Sequence, residues 1–208
     1  MNLFAGPSAQ TADEPELLRR ARGGDLDAFN ALVDLHQRLV YNICRRMLGS
    51  TTAAEDATQD TFLSAYRHIG RCTGERFQPW LLRIAANACT DELRRRGRRP
   101  AVSLDAPRPV DDADAHERAL DVPDTAAGPE SEALRSEQRR AIAAALLRLP
   151  EDQRLAVILC DVQGFTYEEI ADSTKASLGT VKSRIARGRE KLRRELRAMG
   201  TIGEAGAS

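Results

Sequence analysis

No stretch of this chain is apolar for long enough to cross a membrane. Uninterrupted apolar runs such as Leu155 to Cys160 reach only about a third of the roughly 20 residues a spanning helix needs. The first fifteen residues have neither a basic start nor an apolar centre and carry Asp13 and Glu14, so no export signal is read there and a cytoplasmic location is expected. Cys44, Cys72, Cys89 and Cys160 are scattered without a CxxC pair, which favours buried free thiols in a reducing compartment over a metal site. His36, His68 and His116 are equally dispersed and show no ligand spacing. There is no Gly-rich phosphate loop and no nucleophile elbow, so no cofactor, no metal and no enzymatic activity is expected. Strand-type alternation is missing too.

What remains is helical periodicity, in a chain of 208 residues that can form one or two domains. A first helix covers about residues 16–22 and stops at Gly23-Gly24. A second begins near Asp25 and gathers Phe29, Leu32, Val33, Leu35, Leu39, Val40, Ile43 and Leu48 on one broad face, with Gly49 as terminator. Thr52 followed by Glu55 reads as a capping box opening a third helix to about Ile69. Pro79, a good first-turn residue, opens a fourth that includes Trp80, Leu81, Ile84, Ala85, Ala88 and Leu93 and ends in an arginine run before Pro100. Helical spacing returns at Ser131–Leu149 and, after Pro150, at Glu151–Val162.

Charge is segregated although the formal net charge is zero. Residues 175–197 hold nine basic residues against Glu190 and Glu195, whereas residues 101–135 hold nine acids against Arg108, Arg118 and Arg135. A polyanion-binding end and a separate acidic segment follow from that split. Pro100, Pro107, Pro109, Pro123 and Pro129, with few large apolar residues, make 101–130 a linker without a core of its own. The expected architecture is all-α: two small helical domains, 16–100 and 131–199, joined by a flexible acidic linker, with flexible ends at 1–15 and 200–208.

Within the second domain the pattern is that of a helix-turn-helix. Thr166 and Glu169 form a capping box for a short support helix, and Ser177 caps a second helix whose first-turn amides remain available to a phosphate. Ile170, Ala171, Leu178, Val181 and Ile185 have the spacing that packs two such helices. Thr180, Lys182, Ser183, Arg184 and Arg187 fall on the outer side, where side chains reach base edges and phosphates. A solvated basic face is the plainer alternative. Neutralising about six phosphates implies a log–log salt slope of roughly −5.

Gly179-Thr180-Val181-Lys182-Ser183-Arg184, preceded by Leu149-Pro150 and Tyr167-Glu168-Glu169-Ile170-Ala171, resembles region four of extracytoplasmic function sigma factors, the compact two-domain members of the bacterial sigma-seventy family. The amino-terminal half carries the same resemblance independently. Ala54 to Phe62 looks like the region two helix that holds the polymerase clamp, and Trp80 to Asn87, with Asp91, Leu93, Arg94 and Arg95, looks like the promoter-melting segment. The resemblance spans about residues 16–100 and 131–197. It implies a non-catalytic initiation subunit that binds core RNA polymerase and promoter DNA and that an anti-sigma factor sequesters.

By that resemblance, Glu55, Asp56, Gln59 and Asp60 bind the polymerase clamp helices; on spacing alone they are a capping box and a solvated acidic face. Asn87, Asp91, Arg94 and Arg95 are assigned to the minus-ten element, with Asn87 and loop residues around Cys72 to Phe77 capturing a flipped base. Asp91 could instead orient Arg94, and Trp80 reads as a packing anchor. Thr180, Lys182, Ser183, Arg184 and Arg187 are assigned to the minus-thirty-five element. The linker is expected to thread through the polymerase interior, or to act as a plain spacer.

The chain departs from the family at Ala57-Thr58, where large apolar residues are common, and at Thr174-Lys175 in place of Leu-Gly. A left-handed turn without glycine is strained, so a different turn is expected there. Gly188 inside the recognition helix is expected to cost about 1 kcal/mol relative to alanine. A one-component regulator with the same DNA-binding unit and no polymerase contact is the alternative function.

Overall fold

The computed structural model describes residues 14–73, 76–98 and 129–200. The expected N-terminal segment, the acidic linker up to residue 128 and the tail beyond residue 200 lie outside the described residues. Every regular element among those described is helical.

α1 (Glu14–Arg22) and α2 (Leu26–Leu48) are separated by the expected Gly23-Gly24 break. Asp25 caps α2 by accepting the Ala28 amide, and Gly49 ends it in the left-handed conformation at φ 71°. α3 (Thr51–His68) starts two residues earlier than the expected box: its cap is Ser50 in place of Thr52, and Ser50 accepts from the Ala53 amide at 3.4 Å. A 3₁₀ turn at Ile69–Arg71 closes it. α4 (Phe77–Arg98) begins two residues before Pro79, which therefore sits inside the first turn, where its missing N–H leaves no gap in the ladder. These four helices pack on one another around Leu18, Leu32, Val40, Ile43, Met47, Ala54, Phe77, Leu81 and Ala85.

The second lobe comprises α5 (Pro129–Leu147), α6 (Glu151–Val157), α7 (Tyr167–Thr174) and α8 (Leu178–Ala198). Instead of running straight to Val162, α6 passes into five residues of π winding at Ile158–Val162. The Gly164 turn at φ 73° and the Phe165 amide bonded back to Leu159 at 2.9 Å reverse the chain. Thr166 and Glu169 make the expected capping box, and Ser177 accepts from the Thr180 amide to start α8. The turn keeps its left-handed residue without glycine: Lys175 itself adopts φ 52° and ψ 34°. Helix-terminating geometry thus prevails over the preference of a Cβ-bearing residue, at a cost of about 1–2 kcal/mol.

Gly188 has a positive reason to be glycine. A Cβ there would stand 2.6 Å from Val157 Cγ2 and 3.2 Å from the Gln153 carbonyl oxygen, so its absence lets α8 lie directly on α6. Ile170, Val181 and Ile185 are buried as the helix-turn-helix spacing implied, whereas Leu178 is 37 % exposed.

The two lobes touch. α2 meets α5 and α6, α4 meets α7, and one cluster of buried apolar residues runs through both lobes. Cys44, Cys72 and Cys89 are buried thiols and Cys160 is half-buried; Cys44 and Cys89 lie sulfur to sulfur at 3.5 Å between α2 and α4.

Candidate functional site

α3 presents two unlike faces. Ala53, Ala54, Ala57, Thr61, Phe62 and Ala65 are buried, and the preponderance of small side chains allows close approach to α2 and α4. Thr61 and Thr58 turn their hydroxyls onto the preceding turn, donating to Ala57 O and Ala54 O at 2.6 Å each, and so enter the packed side without an unpaired polar group. On the outside, Glu55, Asp56, Gln59 and Asp60 are all exposed and have no hydrogen-bond or ion-pair partner among the described residues. Leu63 (45 % exposed) and Tyr66 (49 %) continue that face at seven-residue spacings from Asp56 and Gln59. The sequence reading passed over both. Their signal was there: seven residues is two helical turns, so an apolar pair at +7 from two carboxylate-face positions cannot lie in the core.

The structure brings five of the assigned residues into a single cleft. Between α3 and α4 a depression of about 440 Å³ is floored by Ala53, Ala57, Ile84 and Ala88 and rimmed by Asp56, Asp60, Asn87, Asp91, Glu92 and Arg95. Ala57 is part of that floor, so the departure from large apolar residues is what leaves the cleft open. Burial pushes the Glu92 carboxyl upward, but hydrogen bonds from Arg96 (2.7 Å) and Arg95 (2.8 Å) outweigh it and hold it below the usual range. Asp91 lies 3.8 Å from Arg94, the local ion pair that the spacing allowed. A cleft edged by four carboxylates disfavours phosphate, and Asn87 and Ser64 are its neutral polar lining residues.

The loop before α4 differs from the expectation of open base-capturing residues at both ends. Cys72 is 2 % exposed and Phe77 is fully buried, because Phe77 packs between His36 and Trp80 at ring separations of 5.5 and 5.7 Å. The Phe77 amide is held by Glu14 at 3.3 Å, and Glu14 in turn sits 3.3 Å from His36. The neighbouring His36 imidazole is the largest influence keeping the Glu14 carboxyl below its ordinary value. Trp80 is half-buried on Phe77, as a packing anchor.

In the helix-turn-helix, all five assigned residues lie on the first three turns of α8. Lys182, Ser183 and Arg187 are exposed and Thr180 and Arg184 half-exposed. Several are engaged within their own lobe. Thr180 shares a hydrogen bond with the capping hydroxyl of Ser177 at 2.8 Å, Arg184 pairs with Asp152 at 3.0 Å, and Arg187 donates to Ser183 O at 3.2 Å. Beyond them, Arg189 is clamped by Asp161 of the π segment at 2.5 Å, which raises the guanidinium further above its ordinary pKa. Lys182 has no partner among the described residues.

An all-helical chain with a bare acidic helix face in one lobe and a basic recognition helix in the other has the build of a protein that joins a protein machine to DNA. Residues 32–99 match the sequence model of sigma-70 region 2, and residues 139–192 that of sigma-70 region 4. The chain is 35 % identical over 192 residues to the ECF RNA polymerase sigma-E factor of Haemophilus influenzae, covering 92 % of this chain and 99 % of that one. Among solved structures it is similar to CnrH in complex with the cytosolic domain of CnrY, at TM-score 0.63 and 25 % identity over 89 % of this chain and 97 % of that chain. It is also similar to the sigma factor RpoE of Bartonella quintana in complex with the anti-sigma factor NepR, at TM-score 0.58 and 26 % identity over 81 % and 96 %. The chain belongs to the sigma-70 family of RNA polymerase sigma factors, in its extracytoplasmic function group. Because the amino-terminal half is itself region 2, the alternative of a stand-alone regulator finds no support.

Proposed function

We propose that this protein is a non-catalytic initiation subunit that docks on core RNA polymerase through α3 and reads promoter DNA through α4 and α8. The observation that carries the docking assignment is the unpartnered face of Glu55, Asp56, Gln59 and Asp60. Carboxylates with no ligand inside their own molecule lose nothing when a basic coiled coil approaches, and complementary charge raises the rate of encounter. Leu63 and Tyr66 extend the same contact with apolar area that is desolvated only in the complex.

Upstream recognition is assigned to Thr180, Lys182, Ser183, Arg184 and Arg187. The α8 N-terminus, capped by Ser177, offers amides to a phosphate, while Lys182 and Arg187 extend to base edges and backbone. Strand opening is assigned to α4. The acidic rim of the α3–α4 cleft favours an uncharged base over phosphate, so Asn87 takes the role of base reader, with Asp91 orienting Arg94 beside it. Arg94 and Arg95 then follow the backbone of the opened strand. The domain limits 16–100 and 131–199, with the acidic linker between them, accord with these roles.

No helix among the described residues is long and apolar enough to cross a membrane. A cytoplasmic site of action beside the polymerase follows from the function, as does a partner of the anti-sigma class such as the one bound by the Bartonella protein. The test is reconstitution. Purified chain plus core polymerase, with no other sigma subunit, should give discrete run-off transcripts on genomic DNA; transcripts that appear only when a second sigma subunit is added would refute the assignment.

A further inference from the structure

Cys44 of α2 and Cys89 of α4 meet sulfur to sulfur, and neither the docking role nor the reading role uses them. Both side chains are fully buried, and the Cys89 thiol donates to the Cys44 sulfur at 3.5 Å. One buried cysteine is ordinary packing. Two facing sulfurs are a place where a bond can form. A disulfide is about 2.05 Å long, so the sulfurs need to close by only about 1.5 Å, which side-chain rotation on two touching helices supplies. Among the described residues no further histidine, cysteine or carboxylate joins them in a metal-binding group, so the pair is suited to a bond between its own sulfurs.

The two thiols are unequal. Hydrogen bonds from Cys89 and Thr58 draw Cys44 below its ordinary pKa in spite of burial, whereas the Cys44 sulfur and burial together push Cys89 upward. Cys44 is therefore the sulfur that attacks and Cys89 the one that resolves. Thr58 belongs to the Ala57-Thr58 pair at which the chain departs from the large apolar residues of its family. Its hydroxyl, anchored on Ala54 O at 2.6 Å, lies beside Cys44, where a large apolar residue would offer only hydrocarbon. Ala57 and Ala88, on the floor of the α3–α4 cleft, immediately precede Thr58 and Cys89 in the chain. The cleft thus gives a small molecule a route towards the helix seam that holds the sulfurs.

We propose that Cys44 and Cys89 form an oxidation site for small hydroperoxides, and that the disulfide made there ties α4 to α2 and restrains promoter opening. The Cys44 thiolate attacks one peroxide oxygen; the O–O bond breaks, one water leaves with the Cys44 proton, and a sulfenic acid remains on Cys44. The Cys89 sulfur then attacks the Cys44 sulfur, the S–O bond breaks, and a second water carries off the Cys89 proton. Two thiols are oxidised to one disulfide while one hydroperoxide is reduced. In a reducing compartment such a bond is transient and reports oxidant. Cys89 lies on α4 between Asn87 and Asp91, the residues assigned to the opened strand, and no part of the bond touches the outer face of α3. Oxidation therefore acts on strand opening and spares docking. That consequence rests on the assignment of α4 to promoter DNA, but bond formation is tested without DNA.

Full-length chain treated with hydrogen peroxide should lose two hydrogens in intact mass, and proteolysis should release the Cys44 and Cys89 peptides joined. Dithiothreitol should reverse both changes. The bond links positions 45 residues apart, so urea unfolding followed by Trp80, the chain's single tryptophan, should show a midpoint raised by roughly 2 M. Cys44→Ala and Cys89→Ala should lose the joined peptides and the shift; if either variant unfolds, peptide mapping of the wild type decides. Oxidised chain should bind core polymerase within about twofold of reduced chain yet give about fivefold fewer run-off transcripts on duplex promoter, and a pre-opened template should restore them. Peroxide-treated wild type that keeps Cys44 and Cys89 as thiols, or carries sulfinic acid in place of the bond, overturns the site. A complete disulfide that leaves transcription unchanged overturns the restraint on opening. If the reduced chain itself supports no run-off transcription, the initiation role fails and the oxidation site stands.

Discussion

α3 and α8 are the two charged helices of this protein, and they hold their charge differently. The acids of α3 face outward with no partner among the described residues. Three cations of α8 are tied to their own lobe, Arg184 to Asp152, Arg189 to Asp161 and Arg193 to Glu190, whereas Lys182, Lys191, Arg194 and Arg197 have no side-chain partner among the described residues. A bare face gains the full attraction of an incoming partner. A tied face must exchange one ion for another, so its net gain is smaller and its orientation better defined before binding. The comparison separates a surface built for docking from one built for reading.

The largest effect should come from inverting the bare face. Asp56→Arg together with Asp60→Arg, both exposed, should leave helicity unchanged by circular dichroism and weaken assembly with core polymerase on the order of 100-fold, about 3 kcal/mol. Normal assembly in a native-gel titration would show that the polymerase docks elsewhere.

Next is the close packing beneath the reading helix. Gly188→Ala improves helix propensity by about 1 kcal/mol yet drives a methyl into Val157 and toward the Gln153 carbonyl. A net loss of about 1–3 kcal/mol in urea unfolding is expected because backbone cannot yield as a side chain does. Stabilisation would mean that α6 and α8 are not pressed together.

On the reading surface itself, Arg187→Ala should cost about 1–3 kcal/mol on upstream promoter DNA and little on unrelated duplex if it contacts a base. Uniform loss on all sequences would mark a phosphate contact. Asp152→Asn should do the reverse of a typical deletion. It frees Arg184, so affinity should rise about two- to fivefold at low salt and the log–log salt slope should steepen by about 1. An unchanged slope would mean that Arg184 keeps away from the phosphates even when released.

Local chemistry was legible in the residues before any coordinates. The breaks at Gly23-Gly24 and Gly49, the box at Thr166 and Glu169 and the Ser177 cap are written in side chains that act within one turn. So was the helix-turn-helix core of Ile170, Val181 and Ile185. What stayed hidden depends on partners far along the chain. Gly188 reads as a helix weakness until Val157 is placed against it, and Arg154 reads as a surface cation until Met47 O is within reach. Phe77 looked like part of an open loop because nothing near it announces His36 and Glu14 as its neighbours. The α3–α4 cleft merges two residue sets that are well separated in sequence.

The smallest effect tests whether the reading lobe tolerates strain to keep its geometry. Lys175 is exposed and lies at φ 52°, and its amide and that of Ala176 both bond back to Ala171 O, the arrangement that turns α7 into α8. A side chain in that conformation costs about 1–2 kcal/mol, while glycine loses about 0.5–1 kcal/mol more backbone entropy on folding. Lys175→Gly should therefore stabilise the lobe by about 0.5–1 kcal/mol in urea unfolding. Because one cation near the DNA surface is removed, affinity for duplex should fall slightly and equally on all sequences. Discrimination between upstream elements should be preserved, since Thr180 to Arg187 keep their places on α8. If discrimination collapsed instead, the position of the reading helix would depend on Lys175 itself, and the preformed surface inferred for α8 would lose its footing.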